Sequence, residues 1–165
     1  KRAAANDPVA MRQIGLKHYG EDDYVRAFEY WSKAAQLGDI DAHYELSLLY
    51  TQGQGVEKDD KMQMYHSEEA AIGGDPRSRI ILAHCEWKNK RFDRAVKHLI
   101  IAANLGHDAS IQEVKDLYAK RFVCKEDFAA ALRAHHAAVD AMKSPQREAG
   151  EANLRRAARE RGYDL

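Results

Sequence analysis

Cysteines and long apolar runs are scarce in this 165-residue chain, which has two cysteines, Cys85 and Cys124, and no apolar run of about eighteen residues. Two isolated cysteines are too few for a disulfide framework or a zinc site, so we expect packed thiols, a reducing compartment and no cofactor. Without a long apolar run, we expect a soluble cytoplasmic domain with no membrane partner. Because the first residue is lysine, an upstream targeting segment or domain would lie outside this sequence.

Net charge is also lacking, because 26 lysines and arginines balance 26 aspartates and glutamates. A balanced chain has no overall field that attracts nucleic acid, so we expect no nucleic-acid partner. The charges are nevertheless unevenly placed: residues 1–74 hold 8 basic and 13 acidic side chains, and residues 75–165 hold 18 and 13. This asymmetry has two interpretations. Either the charges are ordinary solvent-exposed ones, or the molecule has an acidic and a basic end that orient a charged partner.

A motif of paired alanines followed by a glycine occurs three times, ending at Gly38, Gly74 and Gly106, with spacings of 36 and 32 residues. Such periods are typical of stacked helical units. Aspartates that can cap a helix begin the units, and the glycines can end the second helix of each pair. The pattern predicts an all-α, right-handed α-solenoid of four helix-turn-helix repeats plus a C-terminal helix, with one continuous core.

The predicted repeat domain covers residues 6–143, in units of about 6–38, 39–74, 75–106 and 107–143. Its core register is set by four apolar positions on the first helices, namely Ile14, Leu46, Leu82 and Val114. Residues 144–165 depart from the repeat. There Ser144-Pro145 is expected to open a separate helix that serves as a C-terminal capping helix or tail.

Eight histidines are the main feature that suggests an enzyme or a metal protein. His135 and His136 are adjacent on a predicted helix and point about 100° apart, which is poor geometry for a shared metal. His66 and His98 occupy equivalent repeat positions, so packing explains them better than chemistry does. No nucleophile is paired with a base, and we therefore expect no catalytic residues and no metal site.

Repeat two carries the most diagnostic residues, which are Ala42, Leu46, Tyr50, Gly53-Gln54-Gly55-Val56, Asp59, Ala70-Ala71 and Gly74. This pattern resembles the Sel-one-like repeat (SLR) family, a branch of the tetratricopeptide-like helical repeats. Gly15 matches a glycine of that family, whereas Ser47, Ala83 and Lys115 stand at the equivalent positions of the later repeats. The resemblance covers roughly residues 6–143 and implies a non-catalytic scaffold for protein–protein interaction.

Several sequence strings, among them Ala27-Phe28-Glu29-Tyr30-Trp31, are similar to strings in a group of diatom and related algal SLR proteins. Several of those relatives carry an N-terminal RING-type zinc finger. That resemblance implies an alternative function, the substrate-recognition region of a RING-type E3 ubiquitin ligase whose finger lies outside this chain.

The first helices of helical-hairpin solenoids line the concave face, so their non-core positions are the expected binding surface for a protein or peptide ligand. With the register above and the resemblance to tetratricopeptide repeats, these positions are Arg12, Leu16, Tyr19, Asp41, Tyr44, Leu48, Thr51, Arg77, Ile80, His84, Trp87, Gln112 and Lys115. Aromatic and arginine side chains anchor partners best, which favours Tyr44 and Trp87. Alternatively, Tyr19 and Trp87 replace core aromatics that are missing at His18 and Glu86.

Overall fold

The computed structural model describes residues 7–160, with side chains for residues 7–142. Over this range the chain forms eight α-helices and no strand. The helices are α1 (Pro8–Gly20), α2 (Tyr24–Gln36), α3 (Ile40–Gln52), α4 (Asp60–Ile72), α5 (Pro76–Lys88), α6 (Phe92–Asn104), α7 (Asp108–Ala119) and α8 (Lys125–Glu160). None of the helices in the described range is both long and apolar enough to cross a membrane.

The predicted aspartate caps are confirmed at the starts of α1, α3, α4 and α5, where Asp7, Asp39, Asp59 and Asp75 accept hydrogen bonds from first-turn amides. These bonds satisfy donors that have no partner inside the helix. In the fourth unit His107 takes this role, because its Nδ1 accepts from the Ser110 amide at 3.2 Å. The caps at Asp7, Asp39, Asp75 and His107 therefore start the four first helices. Asp59 starts the second helix of the second repeat.

The glycines that end the repeat motif adopt the left-handed backbone conformation, with φ of 87° at Gly38, 95° at Gly74 and 85° at Gly106. A residue with a Cβ is strained in this conformation, whereas glycine adopts it freely. The chain can thus leave each second helix and enter the next capped turn within three residues or fewer. This recurring turn places the next helix beside the previous one.

Each helix packs against its neighbour in the sequence, and α8 packs on both α6 and α7. This order of contacts is that of an α-solenoid, as the sequence predicts. Alanines fill most of the interfaces of the second helices and are buried there, at Ala27, Ala34, Ala35, Ala70, Ala71, Ala95, Ala102 and Ala103.

Among residues 7–142, the large buried apolar side chains form two clusters, which corrects the expectation of one continuous core. The first cluster lies in α1–α3 around Trp31, Leu46 and Leu49. The second joins α5–α8 and includes Leu99 and Val114. The division falls at α4, because this helix presents buried His66 and Ser67 where the other second helices present large apolar side chains.

Ile14 does not belong to the core, although the sequence register places it there. Its exposed fraction is 39%, against 1% for Leu46, 4% for Leu82 and 0% for Val114. The reason is its position in α1, because no preceding described helix covers the outer side of the first repeat. The repeat register therefore identifies a buried position only on a helix that has a neighbouring helix on each side.

The expected helix break near residue 143 is also wrong. Helix α8 continues without interruption from Lys125 to Glu160 and includes Ser144 and Pro145. Proline removes one backbone hydrogen bond, to the carbonyl four residues earlier. Alanine is frequent on both sides of Pro145, and glutamate and arginine are frequent after it, and these residues favour the helix strongly enough to continue it.

Gly15 allows the closest side-chain packing in the first repeat. The Trp31 indole is fully buried against it, and its Nε1 donates a hydrogen bond to the Arg12 carbonyl oxygen at 3.2 Å. A Cβ added at Gly15 would lie 2.4 Å from two indole atoms, which is far inside van der Waals contact. Glycine at this position is therefore required by the tryptophan of the facing helix.

We expect Gly15→Ala to lower the free energy of unfolding by about 1–3 kcal/mol, because the buried indole must shift. Gly20→Ala is the matched control in the same helix, since a Cβ there meets nothing within 4 Å. That control should be neutral or slightly stabilising, because alanine favours helix over glycine. Urea unfolding followed by circular dichroism measures both, and equal effects of the two substitutions would contradict the packing argument.

Candidate partner-binding surface

The first helices α1, α3, α5 and α7 carry the predicted partner-binding residues, and we call their shared surface the first-helix face. Three of these residues join two buried capping aspartates in a chain of ion pairs, which we call the charge ladder. In the charge ladder Arg12 pairs with Asp39 at 3.1 Å and with Asp41 at 3.5 Å, and Arg77 pairs with Asp41 at 2.5 Å and with Asp75 at 2.8 Å. The ladder connects the first three repeats through their first helices.

Tyr44 lies directly beside the charge ladder. The Arg77 guanidinium sits over the Tyr44 ring, 4.0 Å from its centroid, in a cation–π contact. Burial raises the pKa of the Tyr44 phenol and also that of the neighbouring Glu45 carboxyl. One face of the predicted anchor Tyr44 is thus already covered by a residue of the next repeat.

A groove of about 620 Å³ lies between α3, α4 and α5, and we call it the central groove. The predicted residues Leu48, Thr51 and His84 line it, together with Ile81 and Cys85. Burial raises the pKa of the Cys85 thiol, which keeps this sulfur in the neutral form. The groove therefore has a mixed apolar and polar lining, formed by residues of two consecutive repeats.

A smaller groove of about 250 Å³ lies between α5, α6 and α7, and we call it the distal groove. Its apolar floor is formed by Ala83, Ala95, Leu99 and Leu117, and its rim by His84, Trp87, Glu113, Asp116 and Lys120. His84 is exposed, lies 3.7 Å from the Glu113 carboxylate and lines both grooves. The two grooves are therefore neighbours that share His84 as a lining residue.

Trp87 belongs to an exposed group of three aromatic rings, which we call the aromatic cluster. Its ring centroid lies 4.7 Å from that of Phe92 and 5.3 Å from that of Phe122, and the two phenylalanines are 5.8 Å apart. The three side chains come from the end of α5, the start of α6 and the loop before α8. The cluster therefore joins the third repeat to the fourth at the edge of the distal groove.

The alternative that Tyr19 and Trp87 act as core aromatics holds for one of them. Tyr19 packs on the buried core, with its ring 5.5 Å from the Trp31 ring, and its hydroxyl donates to Gln54 Oε1 at 3.4 Å. Trp87 remains exposed. Beside Trp87, the buried Glu86 carboxylate is compensated by Arg91 and Arg94.

The remaining predicted residues do not join these groups. Leu16 is exposed on α1, and Ile80 is half-buried on α5. Gln112 and Lys115 are exposed on α7, where the Gln112 amide donates to Asp116 at 3.4 Å. The structure thus brings eight of the predicted residues together in or beside the charge ladder, the central groove and the distal groove, and leaves these four and Tyr19 apart.

Several residues of this surface were missed from the sequence. Asp39 and Asp75 were recognised as caps but not as members of the charge ladder, because their arginine partners become neighbours only through the fold. Phe92 and Phe122 were missed as companions of Trp87. A local signal exists for both, since each follows a basic residue at the turn between the two helices of a repeat.

The cysteines and the acidic and histidine side chains do not suggest metal chemistry. Among the described residues, no group of three or more histidine, cysteine, aspartate or glutamate side chains could hold a metal ion. Cys124 is exposed, which corrects the expectation that both thiols are packed. Its sulfur accepts a hydrogen bond from the Asp127 amide at 3.4 Å, so this residue serves as a helix cap for α8.

The fold is that of a helical-repeat protein, and its first-helix face carries two neighbouring grooves. A family model, "Sel1 repeat", matches residues 8–39, 40–75 and 90–107, which is more than half of the chain. The chain belongs to the Sel1 repeat family. Proteins of this family generally mediate protein–protein interactions and are mostly non-catalytic scaffolds.

Three similar proteins come from bacteria. One is the Helicobacter pylori protein named "Putative beta-lactamase HcpC". It is 42% identical over 55 residues, which are 33% of this chain and 19% of HcpC. The solved Sel1 repeat protein of Oxalobacter formigenes has a TM-score of 0.69 at 24% identity, covering 85% of this chain and 60% of that one. A protective antigen of uropathogenic Escherichia coli with an SLR fold, c5321, has a TM-score of 0.66 at 19% identity, covering 84% and 31%.

The relatives differ from this chain in length. It spans about a fifth of HcpC in the matched region and less than two thirds of either solved protein. The two solved structures support only the fold of this chain. Their sequence identities to it are too low to show more than a shared fold.

A separate cavity of about 510 Å³ lies away from the first-helix grooves, between α2, α3 and α4. His43 and His66 meet there, with their Nδ1 atoms 3.0 Å apart, so that one imidazole donates to the other. Tyr50 stacks on the His66 ring at a centroid distance of 5.6 Å. Burial, and to a smaller extent the His43 imidazole, lower the pKa of His66 to about 4.

This lowered pKa predicts a specific loss of stability in acid. The unfolded chain binds a proton at its ordinary pKa near 6.5, whereas folded His66 does so only near pH 4. The free energy of unfolding should therefore fall by up to about 3 kcal/mol on this account as the pH drops through that window.

His66→Gln should make the decline over this pH window shallower, since glutamine keeps a hydrogen-bonding group beside His43 but does not titrate. His136→Gln, at an exposed histidine, is the matched control and should leave the slope unchanged. Urea unfolding at several pH values measures the slopes. Parallel profiles for the wild-type chain and His66→Gln would contradict the assignment.

Proposed function

We propose that this chain is a non-catalytic interaction module that binds a peptide or protein segment on the concave, first-helix face. The observation that carries the proposal is that the central and distal grooves share His84 as a lining residue. Two neighbouring grooves lined by apolar and polar side chains suit an extended segment, because apolar side chains of the segment can enter the grooves while polar lining residues bind its backbone. His84, Leu48, Thr51 and Trp87 are the proposed contact residues.

The buried serines support a scaffold rather than a serine hydrolase of the kind suggested by the name of HcpC. Four of the five serines with described side chains, Ser47, Ser67, Ser78 and Ser110, have no exposed surface. Ser47 donates to the Tyr44 carbonyl oxygen at 2.7 Å, and Ser78 donates to the Asp75 carboxylate at 2.7 Å. A serine nucleophile must instead be accessible and adjacent to a base.

We further propose that residues 6–143 act as the repeat domain and that residues 144–165 serve as its C-terminal cap or tail. The continuity of α8 through residue 143 favours a cap that is rigidly connected to the last repeat. Terminal units with a polar outer side keep solenoids soluble.

The RING-type ubiquitin-ligase alternative rests only on the resemblance to algal relatives. No structural observation favours it over the scaffold. Recovery of the full-length transcript tests it directly, because a chain without a cysteine-histidine finger before the repeats would exclude it.

The groove assignment predicts that peptides selected on the intact chain depend on His84. After selection from a displayed random-peptide library, His84→Ala should weaken their binding about tenfold, since the substitution removes the side chain that lines both grooves. Fluorescence anisotropy of labelled peptides measures the affinities.

His136→Ala is the matched control, because it also removes an exposed helical histidine. Circular dichroism should show that both variants keep the wild-type helix content. Selected peptides that bind equally well to wild type and His84→Ala, or selection that yields no binder, would refute the groove as the binding site.

A further inference from the structure

The aromatic cluster is exposed to an unusual degree for three adjoining rings. The exposed fractions are 37% for Trp87, 36% for Phe92 and 47% for Phe122, although their centroids lie within 5.8 Å of one another. Single exposed apolar residues are common, but adjoining ones mark contact surfaces. Tryptophan is also among the side chains that contribute most to binding energy at interfaces.

Basic residues surround the aromatic cluster in the sequence. Every one of its three rings has lysine or arginine within three positions, at Lys88, Lys90, Lys120, Arg121 and Lys125. All five side chains are exposed, and none takes part in an ion pair with another described residue. Lys120 also lies on the rim of the distal groove together with Trp87.

The acidic groups nearest these cations stand on the helices, and the two loops, residues 89–91 and 120–124, contain none. The Glu86 carboxylate is buried and already compensated by Arg91 and Arg94. Asp93, Glu126 and Asp127 stand in the first turns of α6 and α8, where the helix dipole stabilises them. Glu113 and Asp116 of α7 lie on the rim of the distal groove with Trp87 and Lys120. The loops around the cluster therefore keep a local excess of positive charge in a chain with no net charge.

The C-terminal tail of this chain does not fit as the occupant. Residues 143–165 contain six basic and four acidic side chains, so their net charge has the same sign as the loops around the cluster. A complementary occupant must be acidic and must offer apolar side chains to the exposed rings.

We propose that the aromatic cluster and its basic border bind an acidic protein segment that carries leucine or aromatic anchors. The inference rests on the proposed interaction function and names the chemistry of the partner. The anchors contact Trp87, Phe92 and Phe122, and the acidic side chains pair with the lysines and Arg121. Attraction between exposed charges should make this binding weaken as salt rises.

The tryptophans provide the readout. Trp31 is fully buried and Trp87 is partly exposed, and they are the two tryptophans of the chain. A short peptide of aspartates interspersed with leucine and phenylalanine should shift the emission of Trp87 to shorter wavelength in a saturable manner. The same peptide with lysine in place of aspartate, and an oligothymidylate of equal charge, should produce no saturable shift.

Lys120→Glu combined with Lys125→Glu should weaken binding of the aspartate peptide at least about tenfold, because two attractive charges become repulsive. Lys61→Glu combined with Lys97→Glu changes net charge equally at exposed sites on α4 and α6 and should leave the affinity within about twofold. Phe122→Ala should also reduce the affinity while the helix content stays unchanged.

The proposal fails if the aspartate peptide produces no shift, if the lysine peptide or the oligothymidylate binds as well, or if both double variants lose equal affinity. An emission shift that depends on protein concentration without peptide would instead identify a second copy as the occupant and overturn the proposal. Library peptides that require His84 but lack acidic residues would overturn this inference alone, and the interaction function would stand.

Discussion

Close contact between successive helices, made possible by alanine, is the constraint on which this structure depends. Helices approach within about 8–10 Å only where the side chains between them are small. Ala27, Ala34, Ala70, Ala95 and Ala102 are all fully buried at such contacts. Where one partner is large, the other is reduced, as in the pair of Trp31 with Gly15. The solenoid is thus stabilised by close packing at each helix–helix interface rather than by one large core.

The divided core gives this array an uneven distribution of stability. Between the two apolar clusters, α4 presents His66 and Ser67 to the interior, and the Ser67 hydroxyl has no hydrogen-bond partner among the described atoms. In a solenoid each interface contributes separately to stability, so a polar interface is the place where local opening costs least. The charge ladder crosses this region on the first-helix face, because Arg77 of α5 reaches back to Asp41 of α3. Ion pairs and hydrogen bonds there supplement the weaker apolar contact.

Local signals made most of the fold predictable from the sequence. The aspartate caps and the glycines at Gly38, Gly74 and Gly106 act within a few residues, so their effect is visible without a structure. The exposure of Ile14 and the continuation of α8 were missed, because the first depends on which helices cover α1 and the second on a sum of helix propensities against one proline. The candidate surface was predictable as a set of positions on one helix face. Its grouping was not, since the Arg12–Asp39 and Trp87–Phe122 contacts depend on distances between repeats.

The grouping changes which end of the first-helix face is suited to a partner. In the first three repeats Arg12, Asp41 and Arg77 already satisfy one another, and Arg77 covers one face of Tyr44. A partner that binds there must break these contacts and replace them, which reduces the net gain in free energy. Around Trp87 the rings are exposed and the nearby lysines have no such partners within the described structure. Of the two anchors that the sequence favours equally, Trp87 therefore offers more new contact, and the third and fourth repeats are the stronger candidate for the binding end of the molecule.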